Sequence, residues 1–188
     1  VGSARIEATV RSPLGFASLR ASLAPWSPLG FASLRASLAM TEPSPPPGVP
    51  VTRHRHRVPF YETDAMGLVH HANYVRFLEL ARIRWMDEHH RPYREYVAEG
   101  LHFATTRVEL DYVRGLRFDD EVEIAVWLAW ARGASLRMEY ALSCAGEVVA
   151  RGATEHAMVD TTGRVRRIPE AQRRAMAGIA AERAAGSP

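Results

Sequence analysis

Asp64 has the strongest claim to chemistry because of what surrounds it. The run Tyr61-Glu62-Thr63-Asp64-Ala65-Met66-Gly67-Leu68-Val69-His70-His71-Ala72-Asn73-Tyr74 puts a carboxylate on a short loop. A glycine follows, then two histidines where a helical pattern begins. A carboxylate in that place can attack a carbonyl carbon or take a proton from water. The first amides of a helix have no carbonyl a turn behind them, so with the helix dipole they can polarise the oxygen of that same carbonyl. Gly67 permits a close backbone turn between the two groups. Carboxylate and amides together suit acyl transfer, one attacking and the other stabilising the oxyanion. Taken alone, an Asp before a helix is as readily a turn former. His70 and His71 are as readily packing groups beneath the helix start, Tyr74 a core residue and Asn73 a helix cap.

Other chemistries are less well served. The chain has eight His, but His54 and His56 alternate on an extended stretch, His70-His71 are adjacent and His89-His90 close a helix. No HExxH occurs and the lone Cys144 excludes a Cys-rich zinc site, so no metal is expected. No GxSxG nucleophile elbow and no GxGxxG dinucleotide loop occur. Cys144 stands at a strand end before Ala145-Gly146 and reads as a buried structural thiol. One cysteine makes no internal disulfide, which fits a reducing, cytoplasmic setting. Arg114, Arg132 and Arg151 fall near strand ends or turns, where guanidinium groups can grip phosphate bidentately.

The elements that must position Asp64 follow from periodicity. Residues 53–61 read as a first strand, polar at its start. Residues 73–88 read as a helix with Asn73 as its cap. Tyr74, Phe77, Leu78, Ala81 and Trp85 share one face, and Val75, Leu80, Ile83 and Met86 extend apolar character around most of it, as in a buried helix. The pattern then switches to period two in 103–113, 121–130, 135–144 and 147–159. In the first of these Ala104, Thr106, Val108, Leu110 and Tyr112 share a face. Turns at Arg132-Gly133 and Ala145-Gly146 make the last three strands an antiparallel meander. Residues 169–184 read as a terminal helix starting at Pro169. A curved antiparallel sheet wrapped around one long helix satisfies both patterns, an α+β fold. Trp127 on the outer sheet face points to an oligomer.

Composition bounds the rest. All 24 basic residues are Arg, and the net charge of +3 resides in residues 1–39, which hold four Arg and one Glu. From residue 40 onward charges balance, which argues against nucleic-acid binding. No apolar run is long enough to span a membrane. Residues 12–24 and 27–39 are identical copies of SPLGFASLRASLA. Two identical short copies before Met40 read as a mis-called upstream extension, with a start at Met40; the competing reading is an Arg- and Ser-rich targeting leader or a disordered tail. Residues 40–52 are Pro-rich linker, residues 53–168 the folded domain, and 169–188 a helix and tail.

The Asp64 run also resembles the signature of the 4-hydroxybenzoyl-CoA thioesterase family of hotdog proteins, which includes small bacterial acyl-CoA thioesterases. The resemblance spans about residues 53–165 and includes ARGASL at 131–136. It implies a hotdog fold, Asp64 as the catalytic carboxylate and a donor amide at or near His71; the catalytic candidates are then Asp64 and His71, with Gly67, Val69, His70, Tyr74 and Arg132 as candidates around the substrate. It implies hydrolysis of an acyl-CoA or acyl-carrier-protein thioester without any cofactor, at a site between the subunits of a homodimer or homotetramer. A sister branch carries its carboxylate on the helix, where Glu79 is the only acid before the last turn. The alternatives are a hotdog hydratase, whose Asp and His motif is not found here, and an acyl-binding module without turnover.

Overall fold

A computed structural model describes residues 44–181 of the chain. The repeated leader segment and residues 182–188 lie outside the described residues. The elements run β1 (Thr52–Arg57), a 3-10 turn (Phe60–Glu62), α1 (His71–His89), α2 (Tyr93–Ala98), β2 (Leu101–Tyr112), β3 (Glu121–Arg132), β4 (Ser135–Cys144), β5 (Glu147–Asp160) and α3 (Glu170–Ile179). The strands form one antiparallel sheet in the order β1-β3-β4-β5-β2. The meander β3-β4-β5 lies at its centre, and β1 and β2 are its edges. Tyr74, Phe77, Leu78, Ala81 and Trp85 of α1 are buried with the inward side chains of the sheet, as their spacing predicts. This is the hotdog arrangement, a sheet around a central helix.

The differences from the sequence reading have local causes. The first strand stops at Arg57, and residues expected to continue it form the 3-10 turn. The strand is polar as expected yet half-buried: Thr52 and His54 face inward, while Arg53, Arg55 and Arg57 point out to Glu123 and Asp119. In β2 a bulge between Thr105 and Arg107 inserts one residue and reverses the alternation. Phe103 therefore faces the core before the bulge and Leu110 packs against it afterwards, whereas Ala104 and Thr106 are exposed. The Pro-rich segment does pack at its end, where the Pro50 carbonyl accepts the Trp85 indole N–H at 3.0 Å. Helix α2 has too few residues to show a period; its buried Tyr96 meets His90 Nε2 at 2.9 Å. Helix α3 begins after Pro169 as expected but ends at Ile179, and packs against β3 with Met176 buried.

Two expectations about open surface are corrected. Trp127 is only 1% exposed and its indole N–H donates to Glu139 at 3.2 Å, so it offers no free apolar face. Helix α1 is not buried on most sides within one chain, because the sheet covers a single side; Val75 and Leu80 remain exposed. Among the described residues no helix is long and apolar enough to cross a membrane.

Candidate active site

The Asp64 loop is a tight reversal closed by the backbone. Thr63 and Val69 form a bridge, the Asp64 N–H donates to Leu68 O at 2.8 Å, and the Gly67 N–H donates to Asp64 O at 2.9 Å. Gly67 sits at φ +70°, a left-handed conformation costly to residues with a Cβ. The Asp64 carboxylate joins the turn through one oxygen: Oδ1 accepts from Met66 N at 2.8 Å and Leu68 N at 3.3 Å. Among the described residues no hydrogen bond ends on Oδ2. Asp64 is thus a turn former and an oriented carboxylate at once. Around it Phe60, Tyr61, Met66 and Phe118 are exposed, with the Phe60 and Phe118 rings edge-on at 5.9 Å.

The loop runs directly into the start of α1. His70 is the cap in place of Asn73: its Nδ1 accepts from Ala72 N at 3.3 Å, and its carbonyl accepts from Asn73 N at 2.9 Å. Asn73 lies inside the helix and donates from Nδ2 to Glu62 O at 2.8 Å. Among the described residues the His71 amide, the first of the helix, has no acceptor. The exposed His70 and His71 rings lie 4.1 Å apart. Tyr112 donates to His71 O at 3.3 Å and meets Tyr74 edge-on.

Tyr74 and Val69, expected at the substrate, are 2% and 5% exposed and belong to the apolar faces that close the loop onto the domain. The Tyr74 hydroxyl accepts from Leu116 N at 3.3 Å, the Val69 N–H donates to Leu116 O at 2.8 Å, and Leu68 packs on Gly115. Burial pushes the Tyr74 phenol above its ordinary pKa.

The thioesterase-like superfamily profile matches residues 58–176, more than half of the chain and all of this site. The chain belongs to the thioesterase-like superfamily. It is a thioester hydrolase of the hotdog fold. The acyl-CoA thioester hydrolase YbgC of Escherichia coli is 38% identical over 80 residues, 43% of this chain and 60% of that protein. A Thermus thermophilus thioesterase solved with coenzyme A and zinc is 34% identical, with TM-score 0.61 over 76% of this chain and 98% of its own. The hypothetical protein TT1821 of the same organism is 32% identical, with TM-score 0.65 over 69% of this chain and 98% of its own.

In this thioesterase the arginines expected to hold phosphate lie on three different segments. Arg132 ends β3, the strand that begins at Glu121 beside the loop; at roughly 3.3 Å per residue the strand separates them by about 35 Å. Its guanidinium lies over the Trp130 ring at 5.5 Å. Arg151 lies on β5 opposite Asp111. Arg114 is close enough to Tyr74 to act on its phenol electrostatically. Arg117, which the sequence reading passed over, is nearer: its Nη1 lies 3.8 Å from where a Cβ on Gly67 would stand. Glu79 is exposed on the outer side of α1, two turns past its start.

Also passed over was a part-buried pairing of a glutamate with a histidine. Glu62 is 7% exposed and its Oε2 lies 2.8 Å from His56 Nε2. The signal was present in the sequence, since His alternating with Arg through 53–57 turns both histidines to one face.

Proposed function

We propose that this protein hydrolyses an acyl-CoA thioester to a free acid and CoA, with Asp64 as nucleophile or general base. The observation that carries the reading is the Asp64 carboxylate itself. One oxygen is fixed by two backbone amides, and among the described residues the other has no hydrogen-bond partner, at a loop leading straight to a helix whose first amide has none either. A thioester carbonyl between them would meet the carboxylate on one side and the His71 N–H on the other. As nucleophile, Asp64 Oδ2 bonds to the carbonyl carbon, the C–S bond breaks and the thiolate leaves; water then cleaves the mixed anhydride. As base, Asp64 takes a proton from the water that attacks. His71 and His70 stand where they can orient that water or the substrate.

The acyl-CoA assignment is supported by the Escherichia coli relative and by the coenzyme A bound to the Thermus thermophilus one. Phe60, Tyr61, Met66 and Phe118 supply apolar surface suited to the acyl group. Arg114 and Arg117 stand on the segment pinned to the loop, and Arg132 would serve from a second subunit. The free edge of β2 and the open Val75 and Leu80 suit a homodimer or homotetramer with the site between subunits. The single, buried and unpaired Cys144 suits the cytoplasm.

The test is free-thiol release from short, medium, long and aromatic acyl-CoAs. Turnover of at least one is the expected result. No release from any of them by the folded protein would refute acyl-CoA hydrolysis.

A further inference from the structure

Glu62 makes three attachments that together frame the reaction. Its carboxylate meets His56 Nε2 at 2.8 Å on β1. Its carbonyl accepts from His70 N at 2.9 Å and from Asn73 Nδ2 at 2.8 Å at the start of α1. Asp64 follows two residues later. His56 is anchored in turn: it sits opposite Val122 in the sheet, and its ring packs 4.6 Å from that of Phe77 on α1. One buried residue therefore ties the sheet and the helix start to the backbone that carries the carboxylate.

We infer that the His56–Glu62 pair positions the reaction, holding the Asp64 carboxylate at a set distance from the first amide of α1. The inference rests on the hydrolase reading above. Neither side chain reaches substrate. Glu62 is buried, and His56 is four-fifths covered and lies behind it. Both act through the backbone of Phe60–Asp64. Catalysis on one carbonyl needs nucleophile and oxyanion donor in register, and a shift of about 1 Å costs on the order of 100-fold in rate. A buried polar pair is also costly to break on one side only, because the group left behind has lost water as well as its partner. Removing either partner leaves the loop free to relax away from the helix.

The experiment measures kcat, KM and the unfolding midpoint for wild type, Glu62→Ala, Glu62→Gln, His56→Ala and the His56→Ala/Glu62→Ala double variant. Glu62→Ala and His56→Ala are expected to lower kcat by about 10- to 100-fold with KM nearly unchanged. Glu62→Gln, whose amide oxygen still accepts from His56, stays within about threefold of wild type. The double variant falls no further than the slower single variant, because the two residues act as a unit. A merely structural pair would instead lower the midpoint and leave kcat at 25 °C intact, which would overturn the inference. Losses that multiply in the double variant would overturn it too. If Glu62→Ala does not fold, His56→Ala decides alone by the same kcat criterion. An active wild type with variants at full kcat defeats this inference only; an inactive wild type defeats the hydrolase reading and this inference with it.

Discussion

His156 should make the fold lose stability on mild acidification, by an amount the structure sets. It is 2% exposed between α1 and the sheet, its Nε2 meeting Thr154 Oγ1 at 2.7 Å and its Nδ1 meeting Thr105 Oγ1 at 3.3 Å. Thr154 in turn meets the buried Tyr140 hydroxyl at 2.8 Å. Burial, and then the charge of Arg82, hold the imidazole pKa down at about 3, against 6.5 for the free group. Between these values the unfolded chain binds a proton that the folded chain does not, so stability falls as pH falls from 6.5 toward 3. The slope is about 1.4 kcal/mol per pH unit. From pH 7.5 to pH 5 the loss through this one group is about 2 kcal/mol, since titration of the unfolded chain begins near 6.5. His54 and His90, also lowered by burial, add to the loss but do so with or without His156. The assay is urea unfolding of wild type and His156→Gln at pH 7.5, 6 and 5. The stability difference between them should move by about 2 kcal/mol in favour of the variant from pH 7.5 to 5. A difference that does not change with pH would refute the reasoning.

Three other outcomes follow from single contacts. A Cβ at Gly152 would lie 2.7 Å from the Glu109 carbonyl and 3.0 Å from Leu110 Cδ2, so Gly152→Ala forces β2 away from β5. It should cost about 1–3 kcal/mol and lower the unfolding midpoint in calorimetry. Gly67→Ala, at φ +70°, strains the Asp64 loop by about 1–2 kcal/mol and should lower kcat, while Gly67→Asn keeps more activity because Asn tolerates that backbone better. His70→Ala removes the side-chain cap of α1 and should cost about 1 kcal/mol in urea unfolding.

Much of the fold was legible because two strong periods alternate along the chain. The residues from Tyr74 to Trp85 repeat at helical spacing, and the β3 and β4 segments repeat at spacing two, so each element had one way to bury its apolar side. The Asp64 motif is one contiguous run from Tyr61 to Tyr74, so the candidate site could be proposed from neighbours in sequence, apart from Glu62 and Arg117. What escaped depends on contacts between distant segments. The extra residue in β2 shows only when that strand is paired with β5, where Thr106 finds the Glu155 carbonyl. His70 became the cap because the bridge between Thr63 and Val69 brings the chain in at its own angle, which helical spacing alone does not register. Glu62 gave no local signal of its own; it matters because His56, six residues earlier, faces the same interior. Arg132 was placed by its neighbours in sequence, while strand length carries it to the far end of the sheet.

The central claim is that the Asp64 carboxylate performs the hydrolysis, and Asp64→Asn tests it most directly. The Asn side-chain oxygen can still accept from Met66 N and Leu68 N, so the loop keeps its shape while the charge is lost. Thiol release from the preferred acyl-CoA should fall by about 100-fold or more with KM changed only slightly. Turnover at the wild-type rate in a folded Asp64→Asn protein would contradict the account.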